Sequence, residues 1–190
     1  MDGLTGGTIP MPHNFRDSLA SSHAAEGLSL WAEVYQKAFP SMVSMVNHRQ
    51  DGEHQRSGID RSIILANSKQ ILVDEKIRWK AYNDIAIEFL SDRDRKIQGW
   101  VCKPLRCDYI AYAVAPLGKC YLLPTLQLQS AWAENCEQWA KQYREILAHN
   151  SSGNRSYVTV SLGVPVSVLF SAIGKCLRVC FKPRIQQNPY

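Results

Sequence analysis

Asp74 and Lys76 stand two residues apart in the run Ile71-Leu72-Val73-Asp74-Glu75-Lys76-Ile77-Arg78-Trp79. Alternate side chains of a strand share a face, so Asp74 and Lys76 point one way and Glu75 the other. An acid-x-lysine triplet alone is weak. A chain of 190 residues contains about one by chance, and Asp94-Arg95-Lys96 is a second copy here. Context separates them. The second copy lies in a polar connection and reads as solvated surface, whereas Asp74 follows a buried-type apolar run. Asp60, in Ser57-Gly58-Ile59-Asp60, precedes that run across a short polar turn. A hairpin there folds Asp60 back toward Asp74. Two carboxylates with a strand carbonyl, that of Glu75, make an all-oxygen set suited to Mg²⁺ or Mn²⁺. A lysine beside them can orient or deprotonate a water and offset charge developing on a phosphate.

The hairpin must be built by the flanking sequence. Ile59–Ala66 is predicted as a strand, Asn67–Lys69 as a turn and Gln70–Trp79 as the return strand. Upstream, Asp17–Val46 favours helix, with Leu28, Trp31, Val34, Tyr35, Ala38 and Met42 on one face and Pro40 kinking or splitting it. Asn47–Gly58 is polar and Gly-punctuated, as in a loop. Downstream, Asp84–Ser91 alternates as a third strand does, with a short helix as the competing reading. Asp92–Trp100 is a polar connection, and Cys107–Ala115 with Gly118–Thr125 forms a second hairpin. Leu128–Asn150 is expected to be one helix, with Trp132, Cys136, Trp139, Tyr143 and Leu147 along a face, broken at Ser151–Asn154. Tyr157–Ile173 begins as a strand and ends as a short helix after Pro165. The expected organisation is a flexible arm over 1–14, one domain over 15–182 and a polar tail over 183–190, in an α/β or α+β class around a central sheet.

The set Gly58-Ile59-Asp60, the apolar strand and Asp74-Glu75-Lys76 resembles the PD-(D/E)xK nuclease superfamily over roughly residues 25–125. Spacing and order are most similar to its archaeal Holliday-junction resolvase branch and to related phage and bacterial nucleases. Ile59 stands where Pro is usual and Asp74 where Glu is commoner. The resemblance implies a restriction-endonuclease-like αβββαβ core, with a central mixed sheet flanked by helices. It implies a Mg²⁺- or Mn²⁺-dependent hydrolase of DNA phosphodiesters, and an endonuclease working as a homodimer. Asp60 and Asp74 would bind metal with the Glu75 carbonyl, and Lys76 would act at the attacking water. Some members add a glutamate on the first helix, for which Glu33 is the candidate and Glu26 the reserve. The alternative is a non-catalytic protein of the same fold, binding nucleic acid or protein in defence or counter-defence. A third reading leaves the triplet as a plain strand end.

Other residues carry weaker signals. Glu88 is an accessory ligand or a solvent-facing strand charge. Asp108 is a site residue or a turn residue, and Gln55 a phosphate contact or an ordinary loop amide. Arg56, Arg78, Lys80 and Lys103, with Trp100, suit a nucleic-acid backbone and unstacked bases, although Asp84, Asp92 and Asp94 sit among them. His48 and His54 lie in the loop before Asp60, within reach of it or simply exposed. The net charge of +5 permits a polyanionic partner. No stretch is apolar enough to span a bilayer, and the first residues lack the pattern of a secretory signal, so a cytoplasmic protein with free thiols at its six cysteines is expected. No Cys-x-x-Cys or finger-like His spacing points to structural zinc.

Overall fold

The computed structural model describes residues 29–152, 155–174 and 176–185. The arm expected over 1–14, Leu28 and the reserve residue Glu26 lie outside these. Helix α1 spans 29–38. Leu30, Trp31, Val34 and Tyr35 form its apolar face and are fully or almost fully buried. Pro40 ends the helix instead of kinking it. The chain then enters strand β1, Met42–Asn47, in place of the expected continuation of the helix. Beyond the proline it pairs antiparallel with strand β2, Arg61–Leu65. Long-range pairing outweighs a methionine-rich local preference.

The hairpin of β2 with strand β3, Gln70–Arg78, forms as expected, with Arg61 opposite Val73 and Ser68 in the left-handed region at φ 62. The loop before it contains a short helix, α2, Gly52–Arg56, capped by Asp51. After β3 the chain leaves this sheet. Strand β4, Asp84–Asp92, is the expected third strand, and it joins a different sheet with strand β5, Ile97–Gln98. A 3₁₀ turn, Trp100–Cys102, leads back to the hairpin of β6, Tyr109–Val114, and β7, Lys119–Pro124. Helix α3 is Thr125–Gln142. It stops short of the expected Asn150, because Tyr143 turns extended and Glu145–Ser152 becomes strand β8 against β9, Arg155–Pro165. Leu147 is therefore a strand residue and is exposed. Helix α4, Val166–Ile173, follows Pro165 as predicted, and strand β10 is Leu177–Cys180.

Among the described residues the larger sheet has the order β1-β2-β3-β6-β7-β10, and only the β3–β6 pair is parallel. The smaller sheet, β5-β4-β9-β8, is antiparallel throughout. The result is a mixed α/β protein with a mixed central sheet. Each face of that sheet has its own core. On one face α1 packs Trp31 and Tyr35 over Ile63, Val73, Ala111 and Leu122. On the other, the smaller sheet, α3 and α4 pack Ile85, Ile87, Leu162, Leu128 and Leu169 over Ile110, Tyr112 and Leu123. All six cysteines are free. No helix among the described residues is long and apolar enough to cross a membrane.

Candidate functional site

The β2–β3 register builds the site. Arg61 faces Val73, and the Asp60 N–H still donates to the Val73 carbonyl at 2.9 Å, so Asp60 is set beside Asp74 where β2 begins. Gly58 makes this approach possible. It sits at φ +68, a backbone region that disfavours side chains, and a Cβ there would lie 2.5 Å from Leu105 Cδ2. The turn brings the chain from α2 to the buried pair Ile59 and Asp60.

Asp60 and Asp74 are 8% and 5% exposed. Asp60 Oδ1 accepts from Gln55 Nε2 at 2.9 Å and its Oδ2 from the Glu75 N–H at 2.8 Å. Asp74 Oδ1 accepts from Lys76 Nζ at 2.7 Å. Burial pushes the Asp60 carboxyl up, but the Gln55 and Glu75 donors and the Lys76 charge outweigh it, and Asp60 is held below the usual range. Burial dominates at Asp74. Lys76 opposes it and the neighbouring Asp60 adds to it, and the Asp74 carboxyl is pushed up to about 6. One carboxylate is thus firmly ionised beside another that holds its proton into the weakly acidic range. A close acid pair facing one lysine is a site that favours an added cation.

Glu75 occupies the opposite face, as the alternation requires. Its carboxylate accepts from Arg61 Nε at 2.6 Å, from the Tyr35 hydroxyl at 2.9 Å and from Arg49 at 3.1 Å. N–H and C=O of one strand residue point to the same edge, so the Glu75 carbonyl is directed toward the edge where its N–H meets Asp60.

Asp60, Asp74 and Lys76 line a cleft of about 650 Å³. Gln55 and Arg56 of α2, with Gly58, Trp100, Lys103 and Leu105, line it as well. Glu88 of β4 completes it; burial raises its carboxyl, against the charges of Lys76 and Lys103. The expected cleft residues Arg56, Glu88, Trp100 and Lys103 are therefore brought together with the acids. Trp100 is 8% exposed and packs into the core, so it acts as a wall and offers bases little surface.

Other expected residues lie elsewhere. Glu33 is on α1, on the Glu75 side of the sheet, where it pairs with Lys37 at 2.9 Å and accepts from the Lys182 N–H. The structure does not bring it to the cleft, because the apolar face of α1 packs against the residues that alternate with Asp74. Arg78 pairs with Asp84 and lies 4.4 Å from the centre of the Tyr82 ring. Lys80 is exposed on the following connection and does not line the cleft. Asp108 accepts from the Leu72 N–H of β3 at 2.8 Å, a link between strands rather than a local turn bond, and it does not line the cleft. Gln55 is the residue whose role the sequence hides. Its only signal is the Asp51 cap, which turns 52–56 into a helix aimed back at Asp60.

No protein-family model, curated protein or solved structure matches the chain. The fold and the site define a mixed α/β protein with an acid–acid–lysine cleft beside the start of a β-hairpin.

Proposed function

We propose that this chain is a metal-dependent nuclease that hydrolyses DNA phosphodiesters in the manner of the PD-(D/E)xK superfamily. The observation that carries the reading is the convergence of Asp60, Asp74 and Lys76 in one cleft while Glu75 turns away. The order helix, three antiparallel strands and then a strand parallel to β3 supports a restriction-endonuclease-like core. One departure is the connection between β3 and β6, where β4, β5 and a 3₁₀ turn replace the expected helix.

The donor set suits Mg²⁺ or Mn²⁺: Asp60 and Asp74 carboxylates with the Glu75 carbonyl, all oxygen. A bound Mg²⁺ would supply Lewis acidity toward a phosphoryl oxygen and a water. The chain does the rest. Gln55 and the Glu75 N–H hold Asp60 ionised and oriented. Lys76, anchored on Asp74, is placed to orient the attacking water and to balance charge on the phosphate. Arg56 and Lys103, which both line the cleft, attract the DNA backbone. A homodimer would pair two such clefts on two strands.

The test uses purified protein against plasmid, linear, single-stranded and four-way-junction DNA, with Mg²⁺, Mn²⁺ or EDTA. Cleavage should require the metal and vanish in Asp74→Ala and Lys76→Ala while both variants keep their fold. Cleavage that persists in those folded variants would sink the assignment.

A further inference from the structure

Next to the cleft, three side chains with metal-ligating atoms meet outside its acid pair. His48 follows β1 and donates its backbone N–H to the Asp60 carbonyl at 2.8 Å. Asp51 caps α2, and His54 lies within that helix. One ligating atom from each of the three lies within 4.8 Å of the others, and they form the one such group among the described residues. The rings of His48 and His54 stack with centroids 4.0 Å apart and planes 6° from parallel.

We propose that His48, Asp51 and His54 form a second cation site that takes zinc or a similar late transition-metal ion, separate from the all-oxygen set of Asp60 and Asp74. Two imidazoles with one carboxylate form the donor chemistry of zinc sites that keep an open position, and imidazole is a poor match for Mg²⁺. A tetrahedral zinc with bonds of about 2 Å spaces its ligand atoms about 3.3 Å apart. Ligation requires the His54 ring to tilt out of its stack on His48 and to exchange its 2.8 Å Nδ1 contact with Asp51 Oδ2 for the ion, and both side chains are at least partly exposed. The outer contacts are in place. Ser62 Oγ holds His48 Nε2 at 2.7 Å, which leaves Nδ1 outside that bond, and Gln70 in turn donates to Ser62 Oγ at 2.7 Å. Such partners fix the ring that ligates a metal.

The site would do structural work. Helix α2 has five residues, too few to hold its shape unaided. It carries Gln55, which donates to Asp60 Oδ1. An ion bridging His48, at the end of β1, to Asp51 and His54 of the α2 turn would fix that turn against the sheet. Gln55 would then be held on Asp60. The proposal does not depend on the nuclease reading, since a folded turn binds zinc whether or not the cleft cuts DNA.

The test is calorimetric titration of ZnCl₂ into the EDTA-stripped, desalted full chain, with excess Mg²⁺ in the buffer, beside thermal melts with and without Zn²⁺. One Zn²⁺ per chain should bind and raise the melting temperature. Loss of a group that only orients a metal ligand typically weakens metal binding about ten- to a hundredfold, so losing a direct ligand in His48→Ala or His54→Ala should cost about a hundredfold or more. Asp74→Asn should leave Zn²⁺ binding unchanged. His54→Ala changes a partly exposed side chain and keeps the test valid should His48→Ala fail to fold. The proposal is overturned by a wild-type chain with no saturable Zn²⁺ site. It is overturned equally by Zn²⁺ binding that survives His54→Ala, which would point to the thiols, or that disappears in Asp74→Asn, which would point to the acid pair.

Discussion

The N–H of Glu75 donates to Asp60 Oδ2 at 2.8 Å, so the residue whose side chain leaves the cleft still holds the first carboxylate in it. The triplet Asp74-Glu75-Lys76 therefore serves both faces of β3. Asp74 and Lys76 face the cleft. Glu75 closes a buried ion pair with Arg61 beneath α1, and its backbone returns to the site.

That division makes Glu75 a stability residue. Arg61 is 2% exposed and depends on Glu75 for charge compensation. Glu75→Ala leaves a buried guanidinium unpaired and should cost about 3–5 kcal/mol. Urea unfolding measures this. The double variant Arg61→Met, Glu75→Leu should recover most of the loss, because it removes both charges together.

Asp74 behaves in the opposite way. Its folded carboxyl, pushed up to about 6 from 3.8, keeps its proton longer than the unfolded chain does. Between those values the folded state binds more protons. The favourable contribution is full below pH 3.8 and is lost as pH rises through about 6, a change of about 3 kcal/mol at 1.36 kcal/mol per pH unit. Asp74→Asn should therefore be more stable than the parent at pH 7–8 in EDTA, with the gap closing toward pH 4. Melts across that range give the difference. Saturating Mg²⁺ should stabilise only the parent and narrow the gap at high pH.

The sequence conveys the hairpin clearly, since Asn67–Lys69 is a short polar turn between two β-branched runs and the alternation assigns each charge a face. Asp60, Asp74 and Lys76 are legible for that reason. Local preference fails where distant pairing decides the outcome. Met42–Asn47 and Glu145–Ser152 contain residues that suit a helix, yet each finds a strand partner, β2 and β9. Nothing local to Asp84–Asp92 says that it leaves the main sheet to found a second one. Glu33 escapes a local reading for a related reason: helical spacing gives the apolar face of α1 but not which face of the sheet it covers. Arg78 looks like a free cation until Asp84, six residues on, folds back onto it.

Gln55 offers a sharper probe of the site. Its amide donates to Asp60 Oδ1 and to the Ile59 carbonyl at 3.3 Å. Losing a hydrogen bond to an ionised group costs about 1.5–3 kcal/mol, or about ten- to a hundredfold in an equilibrium constant. Gln55→Ala should raise the Mg²⁺ concentration needed for half-maximal cleavage by about that factor. Cleavage at saturating Mg²⁺ should change less. A metal titration of the rate separates this positioning effect from loss of the chemistry, which Lys76→Ala should show at every Mg²⁺ concentration.

The basic residues divide by what they touch. Arg56 and Lys103 line the cleft, and the Lys103 segment is fixed on α3 by Gln129, which donates to its carbonyl at 2.6 Å. Arg78 is paired to Asp84 and stacked on Tyr82, which Arg144 also approaches at 5.0 Å. Each phosphate contact adds about 0.9 to the slope of log affinity against log salt for duplex DNA. Lys103→Ala and Arg56→Ala should each weaken DNA binding at low salt and flatten that slope by about one such unit, without altering the melting temperature. Arg78→Ala should leave the slope unchanged and lower the melting temperature, because Asp84 then keeps only the longer contact to Arg144 at 3.7 Å. Fluorescence anisotropy with a catalytically silent Lys76→Ala background, taken over a salt series, reads both outcomes. A slope that falls for Arg78→Ala and not for Lys103→Ala would move the DNA path from the cleft to the β3–β4 connection.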